Sequence, residues 1–203
     1  MTDSQGRTHH NTQWGENVTH KASGTGKNLC TSDCIHVYDH PLKAAFFNPI
    51  HAKFTNPILW EAKVKDIVAR DTTKVGVRQC TTIRQVPLST ITINQRVRVA
   101  ILVALSLPHT KKFDTWAEGW LNDKDRTYAA AAAATYAFSY ASYLAANAAY
   151  NAVDVAYATY AADVAAVDAA TAASYATAYL ATASLATASL VSIIKKALKE
   201  EKS

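Results

Sequence analysis

Along this chain the spacing of apolar residues shifts between a repeat of two and a repeat near 3.6, and each shift predicts an element. Cys34-Ile35-His36-Val37-Tyr38 reads as a strand. Asp39 to Phe47 reads as a short helix with Asp39 or His40 near the cap, Pro41 in the first turn and a stop before Asn48-Pro49. From Leu59 to Val68, Trp60, Ala62 and Val64 alternate with Glu61, Lys63 and Lys65, the pattern of a strand with one buried face. Lys74 to Leu88 is a second β-rich stretch, punctuated by Gly76 and Pro87 and read as two strands.

After Asn94 the repeat turns helical. Val97, Ala100, Ile101, Ala104 and Leu105 share a face until Pro108 stops the run, and this helix is expected to cover the sheet. Phe113, Trp116, Ala117 and Trp120 form another helical stripe, capped by Thr110 and explained by core packing. Trp116 and Trp120 are also placed to dock the helix that follows.

Beyond Asp125 the pattern changes in kind. Tyr128 to Leu198 contains no Gly and no Pro, and alanine, the best helix former, dominates it. Asn122, Asp123 and Asp125 suit the positive end of a helix, and Lys195, Lys196 and Lys199 the negative end. As one helix the segment would be a rod on the order of 100 Å long. An antiparallel hairpin is the alternative. Tyr136, Tyr143, Tyr150 and Tyr157 repeat every seven residues and Val164 continues them, with Val153, Tyr160 and Val167 three residues behind. The seam fades near Asp168 and resumes in shifted phase at Tyr175 and Tyr179, which marks a stutter or a turn. A helix charged only by Asp154, Asp163 and Asp168 needs a partner, so self-association is expected.

The expected fold class is therefore α+β: a flexible arm over 1–28, a small mixed α/β head over 29–121, and an alanine-rich, coiled-coil-like region over 122–203. Charge follows the same division. Residues 1–127 carry 17 Lys and Arg against 11 Asp and Glu, so the net charge of +5 belongs to the head and the extreme tail. Lys63, Lys65, Arg70, Arg78, Arg84, Arg96 and Arg98 are interspersed with acids, which reads as a solvated surface, and nucleic acid is not the favoured partner. Three cysteines without framework spacing suit a reducing cytosol, and the polar N-terminal stretch is no signal peptide. Ala169 to Ile194 is uncharged and long enough to cross a bilayer, but eight of its 26 residues are Ser or Thr, so a membrane is not the expected partner.

Candidate chemistry is sparse. Cys30, Cys34, His36 and His40 are soft metal ligands within eleven residues, but four ligands from one short strand-turn-helix rarely converge, so no metal is assigned. His36 with Tyr38 and Glu61 is a candidate nucleotide or ADP-ribosyl-transfer set, by analogy alone. Structural histidine is favoured over it, and no cofactor is implied. Ser23-Gly24-Thr25-Gly26-Lys27 has the look of a phosphate loop, yet Lys21 replaces its first Gly and Asn28 its Ser or Thr.

Leu29-Cys30, Cys34-Ile35-His36, Pro41-Leu42 and Trp60-Glu61-Ala62 together resemble an uncharacterised domain common in bacteriophage and prophage proteins, with the pattern Cys, Gly-Phe-His, Pro-Leu. Cys34 stands where that pattern has Gly. The resemblance spans roughly residues 20–95 and implies phage context, not an activity. The expectation is a non-enzymatic accessory protein of the host cytosol that binds a host factor, a defence component or a virion component. A nucleotide-binding enzyme is the alternative.

Overall fold

A computed structural model describes residues 1–71, 73–106, 111–124 and 190–200 of the chain. It is an α+β protein whose described residues fall into two compact units, 1–90 and 91–203.

The first unit is built on one four-stranded antiparallel sheet. Strands β1 (Thr19–Lys21), β2 (Ile35–Val37), β3 (Leu59–Arg70) and β4 (Val75–Val86) all pair through β4. β3 runs along one side of β4 from Leu59 opposite Val86 to Arg70 opposite Val75. β1 and β2 share the other side, with His20 opposite Cys80 and His36 opposite Gly76. Flanked on both sides, Val75, Gly76 and Val77 are all buried, which explains why this stretch is continuous where the sequence suggests two strands. Gly76 is not a break. A Cβ there would come within 2.6 Å of the Cys34 sulfur and 2.9 Å of Leu29 Cδ2, so glycine lets the segment before β2 press against the sheet.

Residues 1–28 are not a loose arm. Thr2 exchanges both backbone bonds with Ile58, and Trp60 Nε1 donates to Thr2 Oγ1 at 3.1 Å. Trp14 joins Val75, Val77 and Cys80 in the core, its indole N–H donating to Thr8 Oγ1 at 3.0 Å. The segment looks polar because its backbone is held by other segments' hydrogen bonds, while one large indole supplies the apolar burial.

Helix α1 (Pro41–His51) begins as its sequence predicts: His40 Nδ1 accepts from the N–H of Leu42 at 3.1 Å, and Pro41 takes the first turn. It does not stop at Asn48 but passes through Pro49. The exit is fastened by Asn48, whose side chain donates to Phe54 O and accepts from Phe54 N, and by His51, stacked on Phe47 at 5.2 Å. These contacts offset the one helical hydrogen bond that Pro49 cannot make.

The second unit contains α2 (Ile93–Leu105), α3 (Lys111–Leu121) and α4 (Leu190–Glu200). A full capping box starts α2: Thr92 Oγ1 accepts from Gln95 N, and the Gln95 side chain accepts from Thr92 N. Val97, Val99, Ala100, Ile101, Val103 and Ala104 are all buried, so α2 is a central helix of its own core. It packs against both α3 and α4; α3 buries Phe113, Trp116, Ala117 and Trp120, and α4 buries Leu190, Ile193, Ile194 and Ala197. The helix expected to cover the sheet thus belongs to the second unit, and the boundary falls between Thr90 and Ile91 instead of at residue 121. The cap at Thr110 and the seam residues Tyr136, Tyr143, Tyr150, Val153, Tyr157, Tyr160, Val164, Val167, Tyr175 and Tyr179 lie outside the described residues.

Candidate functional site

Among the described residues, several reactive side chains converge where β2 meets the loop joining β3 to β4. Asp71 shapes that loop. Its Oδ1 accepts from Thr73 N, Thr73 Oγ1 and Lys74 N, each at 2.7 Å. Burial opposes ionisation of Asp71, but these donors outweigh it and hold the carboxyl below the usual range. The turn delivers Lys74, whose Nζ donates to Cys30 Sγ at 3.0 Å.

Cys30 is exposed and sits at φ +63°, a left-handed backbone that turns its N–H toward the sheet. That N–H donates to His36 Nε2 at 2.8 Å. The Cys34 sulfur lies 3.8 Å from the same nitrogen and donates to Asn28 O at 3.5 Å. One imidazole therefore gathers both cysteines. Burial, and then the neighbouring Asp33 charge, push the Cys34 thiol up; burial, and then Lys74, push His36 down.

Behind this lies a second pair. Tyr38 Oη and His51 Nδ1 are 2.9 Å apart with their rings stacked. Burial lowers His51 to about 4, with Lys74 adding to the effect, and raises the Tyr38 hydroxyl. His51 is neutral near pH 7, and tyrosine is the donor.

Of the sequence candidates, Cys30, Cys34 and His36 are brought together and Tyr38 is adjacent through His51. His40 is spent on capping α1, and among the described residues no group of three or more His, Cys, Asp or Glu is arranged to hold a metal ion. Glu61 is elsewhere. It pairs with Arg84 at 2.7 Å on exposed sheet surface, eight β4 positions from Gly76 opposite His36, roughly 25 Å at strand spacing. The set His36, Tyr38 and Glu61 is therefore not assembled. Lys74, Asp71 and His51 were not legible as site residues; a short loop between two β-rich runs was the only signal for Asp71 and Lys74, and His51, in the last turn of α1, had none.

The glycine-rich segment also acquires a different role. Arg78 Nη atoms donate to the carbonyls of Gly24, Thr25, Gly26 and Asp33, while Asp33 accepts from the N–H groups of Gly26 and Asn28. A Cβ on Gly24 or Gly26 would collide with Asp33. The amides that would cradle a phosphate are thus occupied by a carboxylate of the same chain. Other basic residues are likewise turned inward or paired: Arg70 with Asp39, Arg84 with Glu61, and Arg98 with the carbonyl of Leu121.

Comparison with protein-family models, with curated proteins and with solved structures finds no match.

Proposed function

We propose that the chain is a non-enzymatic bacteriophage or prophage accessory protein of the host cytosol, acting by protein–protein contact. The sheet unit recognises a partner, and the alanine-rich region provides self-association or a second docking surface. The observation that carries this reading is on β3. Ile67 is 54% exposed and Val64 38%, the two large apolar side chains that stand out to solvent among the described residues. Ile67, the more exposed of the two, is flanked by Lys65, Asp66 and Arg70, and an exposed apolar side chain with a charged surround is the anatomy of a protein interface.

The strand also restricts the kind of contact. β3 carries register shifts at Glu61/Ala62 and Ile67/Ala69, and Asp66 has φ +55°. Such bulges, with lysines beside them, protect an edge from accepting another strand. The partner therefore meets side chains and offers an apolar centre of its own. The phage context rests on the Cys30, Cys34-Ile35-His36 and Pro41-Leu42 pattern. Cytosolic location agrees with three free cysteines. Among the described residues no helix is long and apolar enough to cross a membrane.

The test uses the full chain immobilised in bacterial lysate beside Ile67→Asp, with native mass measured for both. Loss of specifically retained proteins in the variant, at unchanged circular dichroism, is the expected result. Identical retention by both removes the role of β3, and a strictly monomeric native mass removes self-association.

A further inference from the structure

We propose that Cys30 and Cys34 form a hydroperoxide-responsive thiol pair, in which Cys30 is oxidised first and Cys34 resolves it to a disulfide. The pair has the division of labour this chemistry needs. Cys30 is exposed and Cys34 is buried, and the Cys30 backbone N–H and the Cys34 sulfur both meet His36 Nε2 within a segment of five residues. The Lys74 ammonium stands 3.0 Å from the Cys30 sulfur. A cation beside an accessible sulfur is placed to stabilise the negative charge that develops on the departing oxygen as the O–O bond breaks. Cys80 is buried in the sheet core, so it is a built-in control.

In the first step the Cys30 sulfur attacks one oxygen of the hydroperoxide. The O–O bond breaks, Cys30 becomes a sulfenic acid, and its thiol proton leaves with the released alcohol, or with water when the oxidant is hydrogen peroxide. In the second step the Cys34 sulfur attacks Cys30 Sγ. The S–O bond breaks, and the departing oxygen carries away the Cys34 proton as water. Two thiols have lost two electrons and the hydroperoxide has gained them. The backbone N–H of Cys30, held by His36, fixes the loop while the sulfurs meet. Gly76 keeps open the space that the Cys34 sulfur occupies.

The experiment treats the reduced full-length protein with limiting hydrogen peroxide, alkylates the remaining thiols and maps the peptides. A Cys30–Cys34 disulfide with Cys80 alkylated is expected. In Cys34→Ser the sulfenic acid on Cys30 persists and is trapped by dimedone. In Lys74→Met, whose fold is checked by circular dichroism, oxidation of Cys30 slows about tenfold, as loss of a neighbouring cation implies. Oxidation of Cys30 no faster than that of free glutathione, a disulfide involving Cys80, or a persistent sulfenic acid in the unmutated protein overturns the proposal.

Discussion

The hydroxyl of Tyr38 donates to Nδ1 of His51 at 2.9 Å, joining the end of β2 to the last turn of α1. A histidine held neutral by burial lets stability depend on pH in a definable direction. His51 falls from 6.5 to about 4 in the folded protein, so between these values the unfolded chain binds a proton that the native ring does not. The contribution of His51 to stability is therefore full above pH 6.5 and is lost as pH falls toward 4. The loss is about 2 kcal/mol, reduced from the full shift because the ring is partly exposed. Urea unfolding across this range in wild type and His51→Gln measures it. The variant is expected to lose much of the slope, the rest belonging to His36 and, toward pH 4, to carboxylates held below their ordinary range such as Asp71.

Trp14→Ala is expected to destabilise the first unit by about 3 kcal/mol, since a large buried indole is removed from the sheet core. Its N–H bond to Thr8 goes with it. Chemical denaturation followed by far-ultraviolet circular dichroism reads this directly. A loss below ~1 kcal/mol would restore the picture of residues 1–28 as a loose arm.

Gly76→Ala places a methyl group 2.6 Å from the Cys34 sulfur, inside a sheet closed on both sides. The expected outcome is a loss of about 1–3 kcal/mol through overpacking. Cys34 also becomes faster to alkylate in the native state. Thiol-labelling kinetics resolved by peptide separate Cys34 from Cys80, whose rate is expected to stay the same.

Arg98 donates through both Nη atoms to the carbonyl of Leu121, at 2.8 and 3.0 Å, closing the end of α3 from a position on α2. Arg98→Met keeps much of the side-chain volume but removes a charged bond to a helix-terminal carbonyl. It is expected to cost about 1.5–3 kcal/mol, measurable as a shift in the urea midpoint of the full chain.

Individual elements were legible wherever one local rule was sufficient. Asp39 to Phe47 contained its own start signals, His40 and Pro41, and α1 begins there. Its end was misjudged because Pro49 reads as a stop, while His51 is held from outside the helix by Tyr38, which no local rule consults. The stripe Phe113, Trp116, Ala117 and Trp120 is buried as its spacing implies, and helix Ile93–Leu105 lies where its period places it. Of the candidate residues, Cys30, Cys34 and His36 were named for their soft donors, and their convergence follows from the left-handed turn at Cys30 and the glycine at position 76.

By itself the sequence determined the type of most of the longer segments, strand at Leu59–Arg70 and helix at Ile93–Leu105 and Lys111–Leu121, because side-chain period and end signals act over a few residues, but it missed the short strand Thr19–Lys21 and divided β4 in two. Tertiary structure decided what each segment is packed against. It tied the polar N-terminus to Ile58 and Trp60, gave α2 to the helical unit, and set Lys74 against Cys30 while taking Glu61 away from His36. Those outcomes depend on strand order and on hydrogen bonds between distant residues, and the free energy of such contacts is not encoded in any one local window.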